Sequence, residues 1–350
     1  MNTDNPFITV VMPVRNEVRF IKETINQILS QNYPSDQYEI IVADAMSDDG
    51  TREVVLQIAS EHIQVKLMNN TKLLSSSGRN IGFRNGKGDI FIVVDGHCFI
   101  PDNNFLQNVA NAFRDSGADC LGRPQPLDPP DLTMFQKAVA LARSSRLGHG
   151  SDSLIYSDYE GFASPVSNGA AYSRDIFEKV GYVDESFDAC EDVEFNYRVE
   201  QAGCRCYTSP KLTIKYYPRE TLKALFRQMV RYGRGRRRFT KKHPDALTIN
   251  QIIPPLFTAG LFIALASLIL LAFGLVSITA GIVVPALYVI YFAITTIESL
   301  RISMRNRFRF MLYLPFIFPV IHIGLGGGYL RELLKEIFDH KNNTLMPLDS

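Results

Sequence analysis

The stretch Asp89-Ile-Phe-Ile-Val-Val-Asp-Gly-His97 decides how the chain is read. An unbroken apolar run from Ile90 to Val94 that ends at Asp95 is the pattern of a strand buried on both faces of a parallel sheet. In open α/β sheets, ligands bind in the crevice outside the carboxyl ends of the strands. Asp95 and His97, two apart across Gly96, are therefore placed to share one divalent cation. An exposed turn with an Asp and a His would have the same sequence, so the rest of the chain must decide.

Working back from that strand, the chain alternates. Phe7 to Met12 reads as a strand ending in Pro-Val-Arg-Asn-Glu17, and Val18, Ile21, Ile25, Ile28 and Leu29 then mark one helical face. Glu39 to Ala43 is a second buried strand that stops at Asp44. Ser47-Asp-Asp-Gly-Thr51 supplies capping residues for a helix bearing Val54, Val55 and Ile58. Ile63 to Met68 makes a third strand, and Ser77-Gly-Arg-Asn-Ile-Gly82 opens another helix. Strand and helix in alternation predict a mostly parallel α/β sheet. No Gly-x-Gly-x-x-Gly follows the first strand and no Gly-x-x-x-x-Gly-Lys-Ser/Thr occurs, which argues against dinucleotide-binding and P-loop proteins.

Working forward, Arg123-Pro-Gln-Pro-Leu-Asp-Pro-Pro130 is a rigid connector where the alternation stops. Asp131 to Ser145 reads as a helix, His149 to Ser164 as a mobile active-site loop, and Ser167 to Ser173 as a strand. Glu191 and Asp192 then open a helix, where the dipole and free backbone N–H groups keep a carboxylate ionised. Further on, Gln228 and Arg231 share one helical face. The Arg fork matches a diphosphate, whereas Arg236 to Lys242 reads as charge facing lipid headgroups.

The net charge of +1 hides an asymmetry: Arg219 to His243 holds ten Arg or Lys against one acid, and Asp184 to Glu200 holds seven acids against one Arg. Five cysteines without a Cys-x-x-Cys pair indicate neither a zinc site nor a disulfide framework. Met1-Asn-Thr-Asp-Asn-Pro has no signal-peptide pattern. From Ala246 to Ile297 there are 52 residues without a charged side chain, while one membrane helix needs about 20. Two spans fit, Ile252 to Phe273 and Leu275 to Ile297, with a third expected from Phe310 to about Gly328. The basic run before the first span and Arg301, Arg305, Arg307 and Arg309 after the second put both flanks in the cytoplasm. Leu330, Leu333, Leu334, Ile337 and Phe338 line one face of an interfacial helix. Because the basic run adjoins the bilayer, nucleic acid is not the expected partner. The expected organisation is a cytosolic domain over 1–218, a basic interfacial helix over 219–245, three membrane helices over 246–330, and an interfacial helix and tail over 331–350.

Taken together, Val11-Met-Pro-Val-Arg-Asn-Glu17, Val42-Ala-Asp-Ala-Met-Ser-Asp-Asp-Gly-Thr51, Gly78-Arg-Asn80, Val93-Val-Asp-Gly-His97, Cys190-Glu-Asp192 and Gln228-Met-Val-Arg-Tyr232 resemble, in order, the motifs of family 2 glycosyltransferases with a GT-A fold. Among these the chain is similar to succinoglycan-type membrane glucosyltransferases. The resemblance implies a nucleotide-sugar donor held by Pro13, Arg15, Glu17, Asp44, Arg79, Asp95, Gln228, Arg231 and Tyr232. It implies a cation on Asp95 and His97, where His97 replaces the commoner second Asp and tilts the expectation toward Mn²⁺ without excluding Mg²⁺. It implies Asp192 as catalytic base, with Glu191 in acceptor-side support. Tyr232 stands where the family motif has Trp.

The expected reaction is inverting transfer of a hexose, glucose from UDP-glucose, to a polyprenyl-diphosphate-linked glycan in exopolysaccharide or envelope assembly at the inner membrane. A processive polysaccharide synthase and a polyprenyl-phosphate sugar transferase are the enzymatic alternatives. A sugar-nucleotide sensor or membrane scaffold is the non-catalytic one. The sequence leaves the oligomeric state open.

Overall fold

A computed structural model of the chain describes residues 5–149 and 154–344. Its strands are β1 (Ile8–Val14), β2 (Tyr38–Asp44), β3 (Val65–Asn69), β4 (Ile90–Val93), β5 (Cys98–Phe99), β6 (Cys120–Gly122), β7 (Gly161–Ala163), β8 (Gly169–Ser173), β9 (Cys206–Thr208) and β10 (Lys215–Tyr216). Eight of them form one sheet in the order β3-β2-β1-β4-β8-β6-β9-β7, and β10 and β5 form a small antiparallel ribbon. The four strands β3, β2, β1 and β4 run parallel. Antiparallel β8 sits between β4 and β6 and ends the parallel half.

The apolar runs explain this half. Ile8, Val10 and Met12 of β1 and Ile90 and Ile92 of β4 pack in one core layer with Ile21, Ile25 and Ile28 of the helix Ile21–Leu29. The alternate residues Val11, Phe91 and Val93 pack in the opposite layer with Phe83, Phe177 and Phe195. Period-two alternation thus feeds two cores, as expected of a strand covered on both sides. Each large side chain so buried contributes about 1.5–3 kcal/mol.

Three boundaries differ from expectation. The third strand begins at Val65 because residues 63 and 64 form a turn that leaves Ile63 91% exposed. Ser167 and Asn168 belong to a short helix, Pro165–Asn168, started by Pro165 and by the Ser164 hydroxyl accepting from Val166 N, so β8 begins at Gly169. The expected loop over His149 to Ser164 contains a helical turn at Leu154–Tyr156 and the strand β7, while 150–153 lie outside the described residues.

By packing, the chain divides into one unit of Met1–Leu132 with Ser151–Tyr217 and a second of Thr133–Gly150 with Pro218–Ser350. The second unit therefore takes in the helix Met134–Arg143, which opens with a Thr133/Gln136 capping box. Within this unit Ala138, Val139 and Ala142 share a core with Leu225, Met229, Leu314, Ile317, Phe318 and Ile321.

Two of the described helices, Ile249–Ala272 and Ile278–Arg305, are long and apolar enough to cross a membrane, and little of either is buried. Phe310 lies in a 3₁₀ turn, and the rest of the expected third span runs into one helix, Leu314–Thr344, whose Leu314, Ile317, Phe318 and Ile321 pack in the core just described. That helix closes on Leu222–Lys242 along a glycine seam. A Cβ on Gly233 would stand 2.0 Å from Leu325 O, and one on Gly328 2.1 Å from Val230 O. The basic run has protein partners here as well. Arg234 and Arg238 bond Glu332 (2.9 and 2.7 Å), and Arg237 bonds Glu336 (2.7 Å), so these arginines clamp two helices together.

Candidate active site

All the candidates that lie in the first unit gather at the carboxyl ends of the parallel strands. β4 ends at Val93, and the turn Asp95-Gly-His97 links it to β5. The turn is held from three sides. The Thr24 hydroxyl donates to Gly96 O (3.0 Å) and Cys98 O (3.2 Å). Nδ1 of His97 lies 2.8 Å from Glu17 Oε1, and the Tyr216 ring stands edge-on to the imidazole at 6.2 Å.

The β1 and β2 exits are stitched to each other. Asn16 N donates to Ser47 Oγ (2.8 Å), Glu17 N to Thr51 Oγ1 (2.8 Å), and Val18 N to Asp49 Oδ2 (3.1 Å). Asn16 and Met46 adopt positive φ at these exits (56° and 53°), a conformation that costs L residues energy and persists where surrounding bonds enforce it. Pro13 is half-buried and Arg15 exposed on the same segment. Asp44 is fully buried at the end of β2, where its carboxylate accepts from Arg52 Nη1 (2.8 Å) and Ser47 N (3.2 Å). This acid therefore already has a guanidinium partner, Arg52, which the sequence reading missed.

Glu191 and Asp192 occupy the first turn of the helix Glu191–Gln201, entered through Cys190 in the left-handed region (φ 60°). Arg79, on the helix Ser75–Asn85, reaches Glu191 Oε1 at 3.4 Å. Burial works to discharge Arg79, but the carboxylates of Glu191, Asp192 and Asp95 together hold its pKa above the ordinary guanidinium value. Burial, reinforced by the neighbouring Asp192, pushes the Glu191 carboxyl above its usual range although Arg79 opposes the shift. A single cation thus lies within electrostatic reach of both the strand-exit acid and the helix-start acids.

A further residue escaped the sequence reading. Arg123 of the proline connector is buried and donates to Val93 O (2.8 Å) and to the Tyr216 hydroxyl (2.7 Å), so it fixes both the end of β4 and the ring beside His97. The connector's prolines were legible as stiffness; a buried Arg beneath the turn had no periodic signal.

For a metal, this turn supplies one carboxylate and one imidazole. Among the described residues no group of three or more His, Cys, Asp or Glu could hold a metal ion. Two protein ligands fit a cation such as Mg²⁺ or Mn²⁺ that takes its remaining positions from substrate phosphates and water. Gln228, Arg231 and Tyr232 lie in the second unit on the helix Leu222–Lys242, where Gln228 Nε2 donates to Tyr232 Oη (3.3 Å) and Arg231 is exposed.

Comparison with known proteins bears on the family and the fold. The family model described as "Glycosyltransferase like family 2" matches residues 5–235. The succinoglycan biosynthesis protein ExoA of Rhizobium meliloti is 29% identical over 93% of this chain and 94% of its own length. A dolichyl N-acetyl-alpha-D-glucosaminyl phosphate 3-beta-D-2,3-diacetamido-2,3-dideoxy-beta-D-glucuronosyltransferase of Methanococcus voltae is 25% identical over 94% of this chain and 98% of its own. Among solved structures, the mannosyltransferase PcManGT of Pyrobaculum calidifontis, in complex with GDP-Man and Mn²⁺, is similar over 95% of this chain and 88% of that one, with a TM-score of 0.58 and 19% identity. The fold is GT-A-like.

Proposed function

This chain belongs to glycosyltransferase family 2, and from that premise we propose that it is an inverting, metal-dependent transferase moving one hexose from a nucleotide sugar to a lipid-linked glycan. The observation that carries the reading is the meeting of the Asp95–His97 turn and the Glu191–Asp192 helix start around Arg79. A nucleophile's base and a leaving group's counter-charge are what this chemistry requires.

An acceptor hydroxyl is a weak nucleophile near neutral pH. Asp192 takes its proton as the oxygen attacks the anomeric carbon from the face opposite the nucleotide, so an α-linked donor yields a β-linked product. Negative charge develops on the departing diphosphate. A divalent cation held by Asp95 and His97 would supply electrostatic stabilisation there. Glu191, paired with Arg79, keeps the base helix seated. The Arg231 guanidinium fork, in the second unit with Gln228 and Tyr232 on the same helix, has the chemistry to bind a diphosphate; Pro13, Arg15 and Asp44 with Arg52 belong to the nucleotide side.

Support for the acceptor comes from two directions. The Methanococcus relative is named for transfer onto a dolichyl-linked sugar phosphate, and the Rhizobium relative for succinoglycan biosynthesis. The two long apolar helices, with arginines at their flanks, fit a multi-pass inner-membrane protein whose catalytic domain stays in the cytoplasm. UDP-glucose is the proposed donor, with Mn²⁺ or Mg²⁺ as the cation. Incubating the purified full chain with radiolabelled nucleotide sugars and extracted lipid-linked glycans tests the reading. Transfer of one hexose to an organic-soluble glycolipid is expected; absence of transfer from every donor would refute it.

A further inference from the structure

We infer that Glu17 is a positioning residue that commits the His97 proton to Nδ1 and so presents the Nε2 lone pair to the cation, an inference that rests on the reading of Asp95 and His97 as its ligands. The two side chains meet at 2.8 Å and are each about one-fifth exposed (21% for His97, 19% for Glu17). A carboxylate only accepts, so the hydrogen at this contact belongs to Nδ1. A neutral imidazole with Nδ1–H is an acceptor only at Nε2. Carboxylate partners of this kind orient metal-binding imidazoles and make them more basic ligands.

The chain is built to keep Glu17 there. Its backbone N–H donates to Thr51 Oγ1 (2.8 Å), and its carbonyl accepts from Phe20 N and Ile21 N (2.9 Å each), which anchors the residue at the head of the helix Ile21–Leu29. The turn packs closely on this residue: a Cβ at Gly96 would lie 3.0 Å from Glu17 Cγ and 3.1 Å from Glu17 Cβ, so a side chain there would press on the Glu17 stem. Tyr216, fixed through its hydroxyl by Arg123, stands edge-on to the ring.

The test is Mn²⁺ binding to the purified full chain in detergent, read by electron paramagnetic resonance of free Mn²⁺, in parallel series with UDP and with GDP. Glu17→Ala should weaken Mn²⁺ binding by roughly 10–100-fold, the usual size for losing a partner of this kind. Glu17→Gln should stay within about threefold of wild type, because the amide oxygen still accepts from Nδ1–H. His97→Ala should lose at least as much as Glu17→Ala, and the double variant no more than His97→Ala alone. Glu17→Met, which keeps the length without an acceptor, replaces Glu17→Ala if that variant does not fold. Equal loss in Glu17→Gln and Glu17→Ala would make Glu17 a direct ligand and overturn the inference. So would wild-type binding by Glu17→Ala or Glu17→Met while His97→Ala is impaired. Wild-type binding by His97→Ala, or no Mn²⁺ binding by the wild type, would instead remove the cation site on which the inference rests.

Discussion

Replacing Arg79 with Met removes a cation placed among Glu191, Asp192 and Asp95 while keeping most of the side chain's length. Arg79 and Glu191 are 12% and 8% exposed, at an N–O distance of 3.4 Å. At that separation, with an effective dielectric of about 20, the attraction of two unit charges is roughly 5 kcal/mol. Removing one partner of such a buried pair costs about 3–5 kcal/mol, since the Glu191 carboxyl is then left as an uncompensated charge or must take up a proton. In a domain of this size that lowers the melting temperature by roughly 6–20 °C. Thermal unfolding of the full chain in detergent, followed by circular dichroism, measures the loss. Because the cost lies in the stranded carboxylate, Arg79→Met with Glu191→Gln should melt well above Arg79→Met alone. The reasoning fails if Arg79→Met melts within 3 °C of wild type, or if the double variant melts as low as the single one.

Asp95→Ala should abolish transfer and leave donor binding insensitive to Mn²⁺ or Mg²⁺, as read by titration with and without chelator; full activity in excess chelator would contradict the metal reading. A cysteine placed at Gly274, between the two long apolar helices, should label from outside the cell, whereas a reporter fused after Arg305 should behave as internal. Burial pushes the Glu332 carboxyl up, but hydrogen bonds from Arg238 and Arg234 outweigh it and hold the pKa below 4.5. Its stabilisation is therefore present above about pH 4.5 and lost as pH falls through the depressed folded value. Glu332→Gln should lower the melting temperature at pH 7 and match wild type in acid.

What was legible in the sequence was what period and punctuation carry. The apolar runs at Val10 to Met12, Ile40 to Ala43 and Ile90 to Val93 marked the parallel strands, because burial on both faces leaves no room for polar residues. The motifs at their ends fell at the strand exits because that is where side chains leave the sheet. The antiparallel insertion of β8 was not legible, since pairing direction depends on where the chain returns from and not on composition. Arg52, Thr24 and Arg123 were missed because each acts through hydrogen bonds to partners outside its own element, Asp44 for Arg52, Gly96 and Cys98 for Thr24, and Val93 and Tyr216 for Arg123, which leave no periodic pattern. In the segment Phe310 to Gly328, residues buried against another helix and residues facing lipid look alike in sequence, so its packing partners were not legible. The close contacts that its glycines make with the helix Leu222–Lys242 appear only once both helices are in place.

The central claim is that Asp192 is the base and not a binder. Asp192→Asn preserves shape and most hydrogen bonds but cannot accept a proton, and general-base assistance is worth ~10²–10⁴-fold in rate. Single-turnover transfer from labelled nucleotide sugar to lipid-linked acceptor, with donor affinity measured on the same preparations, should show a fall of about that size at near-unchanged affinity. Transfer by Asp192→Asn at the wild-type rate would contradict the account.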